Sequence, residues 1–383
     1  MHTFPSPDPI PLPAPVLVFK LLHITVLSLH FVAVYLVLGG LLVGALWNLL
    51  GRARSNQAMI SGSGEIIRCL PTTMTYLINL GIPPLLFAQV LYGSFLYTSS
   101  VLMGVYWISV IFLVILAYSS IYAGNSRADS DRSWWALGFL ALMVGMAIAK
   151  IYSSNMTLML RPAAWLEMYR AHPHGTNLPH GDPTIVPRWL FMLAGSLTVG
   201  GLGLVVLGIW KKHAQAVKSL MVGQGGLVAT LGIALQTALA FRVIQTQPEA
   251  VRTLLQSSPI YHPLALGWLG LAGAVLLLAL AAALRREKAS GLLAWASGLI
   301  AVLLTAATTT YRDGIRDTTL SLNGFDVWNQ KVVENWPIVT LFLGTFVVGL
   351  IALGWLISVA LKAKYPLPIP PLQTNPTPKE VSR

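Results

Sequence analysis

His23 and His30 stand seven residues apart inside the apolar run 16–51, VLVFKLLHITVLSLHFVAVYLVLGGLLVGALWNLLG. The run exceeds the roughly 20 apolar residues that a helix needs to cross a bilayer. Seven residues make almost two helical turns, so both imidazoles leave from nearly one face, about 10 Å apart along the axis. An ionisable side chain at membrane depth is costly and marks a functional site by default. Neutral imidazole is a standard axial ligand of haem iron. The pair is therefore a candidate ligand set for one or two b-type haems. A plainer use is open to the same residues, namely hydrogen bonds that tie neighbouring helices together.

Other residues could complete such a site. His262, Met156, Met159 and the loop histidines His172, His174 and His180 are candidate second ligands, and spacing does not choose among them. Lys20, Lys150 and Arg242 are cations within or at the ends of apolar segments, none of which contains an acid. A buried cation needs a counter-charge. Haem propionates or a quinone head group would supply a partner, whereas snorkelling to the interface would remove the need for one. Gly81-Ile82-Pro83-Pro84 is expected to break or kink its helix, which frees carbonyls and opens space for a cofactor or quinone. The single cysteine, Cys69, excludes an internal disulfide and a covalent CxxCH haem attachment.

The elements that must position these residues follow from composition. Of 383 residues, 55% are hydrophobic and 10% charged, against roughly 25% charged in soluble domains. Apolar segments fall at 16–50, 71–97, 101–123, 134–157, 187–210, 218–244, 261–284, 290–310 and 337–361. With the N-terminus outside, inner connections hold 15 of the 25 basic residues and outer ones seven, as the positive-inside rule requires. The fold expected is an all-α polytopic bundle of about nine transmembrane helices, N-out and C-in. The basic excess then faces anionic lipid, not nucleic acid. Residues 1–15 form a proline-rich outer arm, 16–362 the bundle and 363–383 a disordered cytoplasmic tail. The long outer connections, 158–186, 245–260 and 311–336, suggest outer-face function, and 163–171 and the stretch 247–259 read as short loop helices. Runs such as Gly39-Gly40 and Gly200-Gly201 read as close helix contacts.

The helix HITVLSLHFVAVYLVLGG, with paired histidines before a glycine pair, resembles the first helix of divergent cytochrome bd-like oxidase subunit I proteins. Leu158-Met159-Leu160-Arg161-Pro162 with Trp165, then Asp182-Pro183-Thr184 and Pro187, is similar to a second segment of that family. The resemblance covers roughly residues 16–205. It implies b-type haem at His23 and His30 and electron exchange with quinol or a cytochrome c. A GRQPW-like string and the long quinol-binding loop of the usual bd type are absent from the sequence, which weighs against quinol oxidation and oxygen reduction.

The expected protein is a haem b-carrying subunit of a respiratory electron-transfer complex in a bacterial inner membrane. Its partners would be lipid, other subunits and a cytochrome c-type protein docked on the outer face. His23 and His30 are the metal ligands; His262, Lys20, Lys150 and Arg242 complete the candidate cofactor site, which extends to quinone. Two other classes fit the same composition: a cofactor-free anchor subunit, and a small-solute transporter working at the second span. Walker, HExxH and GxSxG motifs are all missing, so any enzyme activity would be that of a quinol or cytochrome oxidoreductase subunit.

Overall fold

The computed structural model describes residues 11–362, and the sequence expectations for 1–10 and 363–383 lie outside that range. Eleven α-helices follow in order: α1 Val16–Ala53, α2 Gln57–Leu102, α3 Gly104–Asp129, α4 Trp135–Leu158, α5 Trp165–Ala171, α6 Ile185–Trp210, α7 Gln215–Gln245, α8 Glu249–Ser257, α9 Tyr261–Leu284, α10 Gly291–Leu322 and α11 Trp336–Lys362. Nine of these, among the described residues, are long and apolar enough to cross a membrane. Helix is the solution such sequences reach in hydrocarbon, because each backbone donor and acceptor must be satisfied within the segment. Short α5 and α8 lie in the two connections expected to carry loop helices.

The chain divides into two units, 1–336 and 337–383. The described part of the second, residues 337–362, belongs to α11, an apolar helix. In the first, α1 is central and packs against α2, α4, α6 and α10. Its contact with α6 is close because glycine lines both sides: a Cβ on Gly39 would fall 2.8 Å from the Cα of Gly200. The glycine runs are thus helix contacts, as small residues commonly are in membranes. Side chains of neighbouring segments finish the helix ends. Asn48 on α1 accepts from the amides of Trp134 and Trp135 at 2.9 and 3.2 Å, capping α4, and Asn56 accepts from Met59 N at 3.1 Å to start α2.

Three expectations need correction. α2 begins at Gln57 rather than near 71, so its first turns carry Glu65 and Arg68. It also stays helical through Gly81-Ile82-Pro83-Pro84; the non-helical residue inside it is Gly93. Pro83 and Pro84 still withhold two amide donors, but that loss does not break the helix. The third correction concerns α10, which runs to Leu322, twelve residues past the expected boundary at 310. Arg312, Asp313, Arg316 and Asp317 are therefore on a helix and not in an outer loop.

At the same end of the bundle, the last residues of the arm are pinned. Leu12 forms a parallel bridge with Val332, donating to Lys331 O and accepting from Val333 N, each at 2.9 Å. The segment around Asp182-Pro183-Thr184 is a structural lock. One Asp182 carboxylate oxygen accepts from the Thr184 amide and hydroxyl at 2.7 Å, and the other meets Arg161 at 2.7 Å.

Candidate functional site

The two histidines of α1 both reach α2, but their environments differ. His30 Nδ1 lies 2.9 Å from Leu77 O, and His23 Nδ1 lies 2.9 Å from Pro84 O. A carbonyl oxygen only accepts, so Nδ1 donates in both, and each ring has its Nε2 lone pair free to accept or to ligate. For His23 that lone pair is taken: Nε2 accepts from the Arg316 guanidinium at 3.1 Å. His30 Nε2 has no hydrogen-bond partner among the described residues, and its ring forms part of the wall of a cavity. Space for that ring exists because residue 81 is glycine; a Cβ there would sit 2.9 Å from His30 Cε1.

Around His23 the polar groups close on one another. Lys20, 2% exposed, donates to Tyr92 OH at 2.6 Å and pairs with Asp313 at 2.7 Å and Asp317 at 2.5 Å. The Tyr92 hydroxyl donates to Asp317 Oδ1 at 2.9 Å or to Asp313 Oδ1 at 3.1 Å. Arg316 pairs with Asp313 at 3.2 Å and lies 4.8 Å from the centre of the Tyr92 ring. Two cations and two carboxylates balance. Such a set is costly to bury but is stable when complete.

The cavity that His23 and Arg316 also border is different. It has a volume of about 730 Å³ and lies among α1, α2, α3, α4, α6 and α10, with contributions from α7 and α9. Its wall is mostly aliphatic and aromatic, with His23, His30, Arg188, Arg312 and Arg316 as its basic groups. Ligand pockets of this kind are largely apolar with a few converging polar groups. Arg316 has Asp313. Arg188 finds only neutral oxygens, Gln247 Oε1 at 2.9 Å and Thr157 Oγ1 at 3.5 Å. Arg312 stacks 5.3 Å from the Phe31 ring centre and has no hydrogen bond or ion pair among the described residues.

Of the six expected site residues, His23 and His30 line the cavity and four do not. For Lys20 a propionate, a quinone head group and the interface were all open as partners; its counter-charges are Asp313 and Asp317, which the α10 extension brings into the bundle. Lys150 is half-buried with its ammonium 5.8 Å from the centre of the Trp189 ring, so the indole face serves as its partner. Arg242 on α7 and His262 in the first turn of α9 are exposed and outside the wall. Met156 lies in the wall, whereas Met159 is buried elsewhere. Sequence reasoning missed Arg188, Arg312, Arg316, Asp313, Asp317 and Tyr92. A signal was present in TTTYRDGIRDTTLSL, where Arg312 and Arg316, and Asp313 and Asp317, repeat at a helical spacing of four without a proline between them.

The ring nitrogens, cavity and cations fit a haem. Ligating histidines usually donate their second ring nitrogen to a carbonyl or carboxylate, which fixes the tautomer and orients the ring; His30 has that arrangement. No family model matches the chain, and no curated protein does. Among solved structures, it is similar to a chain of "The structure of bd oxidase from Geobacillus thermodenitrificans", with a TM-score of 0.70 and 11% identity over 92% of this chain and 99% of that one. The chain thus has the all-helical, multi-pass membrane fold of a bd oxidase chain.

Proposed function

We propose that the protein is a haem b-carrying subunit of a bd-like respiratory electron-transfer complex in a bacterial inner membrane, with His30 as the protein ligand. The observation that carries this reading is the His30 ring: Nδ1 anchored on Leu77 O, Nε2 unpartnered, and a 730 Å³ apolar cavity in front of it. Iron in a bound haem would take up and release one electron. The Leu77 carbonyl holds the imidazole neutral at Nε2 and steers its lone pair into the cavity. Apolar side chains exclude water from the ligand and so bear on its potential. Of the two α1 histidines, His23 contributes to the wall and holds Arg316, and His30 alone keeps a lone pair to offer, which favours one haem on α1 over two. Quinol or a docked cytochrome c-type protein would exchange electrons with the site, and the outer connections would provide the docking face.

The bond between His23 and Arg316, and that between His30 and Leu77 O, also tie α1 to α10 and α2. These contacts favour a second reading, a cofactor-free anchor subunit. A transporter normally needs a carboxylate within the membrane; α10 carries two, Asp313 and Asp317, but both are committed to Lys20 and Arg316.

The test is a reduced-minus-oxidised spectrum with a pyridine haemochrome assay on protein purified from haem-sufficient cells. The expected result is a b-type signal near one haem per chain. A blank spectrum would overturn the haem reading in favour of the anchor.

A further inference from the structure

We infer that Arg188 and Arg312 form an anion seat in the cavity, made for a ligand with an apolar body and an acidic head. The inference deepens the haem reading and rests on it for the identity of the apolar body. Burying a cation without a counter-charge is strongly unfavourable, and in membranes such residues are paired. Lys20 and Arg316 obey this rule through Asp313 and Asp317. Arg188 and Arg312 line the same cavity, and among the described residues no carboxylate lies within ion-pair distance of either. The missing negative charge is one a ligand would bring.

Position agrees with charge. Arg312 lies one helical turn before Arg316 and on the same face of α10, and Arg316 contacts His23. His30 is about 10 Å further along α1. Arg316 marks the level of His23 and Arg312 that of Phe31, next to His30, so the basic groups follow the His23–His30 stretch of α1 and the seat lies beside the open ring. Guanidinium suits carboxylate and phosphate because its planar fork donates to two oxygens at once. Arg188 is fixed by Gln247 and Arg312 by the Phe31 face, so both are oriented before a ligand arrives. Haem propionates have this chemistry, and so does the phosphate of an anionic lipid.

The experiment titrates detergent-purified apoprotein with iron protoporphyrin IX and with its dimethyl ester, followed by absorbance, and analyses phospholipid retained by the purified protein. Wild type is expected to bind the free acid at least about tenfold more tightly than the ester. The Arg188→Gln/Arg312→Gln protein should lose that preference while its affinity for the ester stays unchanged, and Arg188→Lys/Arg312→Lys should keep part of it. Arg242→Gln, whose side chain is exposed and not part of the cavity wall, should behave as wild type, and the ester titration shows that the variants remain folded. Equal binding of acid and ester, with a tightly held anionic lipid that the Gln variant lacks, would keep the seat and assign it to lipid. Equal binding with no such lipid would overturn the seat while leaving haem binding in place. Failure to bind either porphyrin would overturn the haem reading itself, and lipid retention alone would then decide the seat.

Discussion

Two sites on α1, two turns apart, solve the problem of polarity in a membrane in opposite ways. Around His23 every strong group is answered from within the chain: Lys20 by Asp313 and Asp317, Arg316 by Asp313, and His23 by Arg316 and Pro84 O. Around His30 the answers are incomplete. One ring nitrogen is anchored and the other is open, and Arg188 and Arg312 face a cavity without a carboxylate. The closed site holds three helices together; the open one has unmet valences that a ligand would satisfy. An ionisable residue in a membrane helix is therefore not enough to name a functional site. What distinguishes the two is whether the chain itself completes the set.

The largest expected effect lies in the closed site. Lys20→Met should destabilise the protein by about 3–5 kcal/mol, because it leaves Asp313 and Asp317 as buried carboxylates short of a cation. Thermal unfolding in detergent measures this, and an unchanged midpoint would show that the cluster is not the clasp described. Next comes Gly81→Ala, which sharpens the contrast at the open site. Its methyl group would meet His30 Cε1 at 2.9 Å and Nδ1 at 3.1 Å. The imidazole must move, at a cost of about 1–3 kcal/mol, and haem content should fall as the Leu77 hydrogen bond is lost. Haem content equal to wild type would mean that ring placement does not control binding. The smallest effect belongs to Arg242→Gln. Exposed and outside both sites, it should change stability by less than about 0.5 kcal/mol and leave haem content unchanged in the same assays.

Much of this contrast was legible in the sequence, and part was not. The apolar runs announce the nine long helices, because hydrocarbon admits few other structures, and the His23–His30 spacing puts both rings on one face. Their inequality depends on Arg316, which contiguous hydropathy places beyond the end of a span. The charges at 312–317 lower the local hydropathy, yet the helix continues through them since Lys20 and Tyr92 complete their partners. A neutralised cluster is invisible to a scale that scores residues singly. The same limit explains why Lys20, Lys150 and Arg242 looked alike. Partners on other helices separate them: two carboxylates for Lys20, an indole face for Lys150 and exposure for Arg242. Gly81-Ile82-Pro83-Pro84 misled in the other direction, since the loss of two donors is tolerated inside a long packed helix, while the same glycine makes room for His30.

The central claim, that the open histidine and not the closed one carries the haem, is tested most directly by haem content per chain in purified His30→Ala and His23→Ala, with His23→Gln as a gentler companion. The account predicts that His30→Ala loses the b-type signal and that the His23 variants retain most of it, with lower thermal stability because Arg316 loses one of its two acceptors and keeps only Asp313. Full haem content in His30→Ala, or its loss in His23→Gln but not in His30→Ala, would contradict the account.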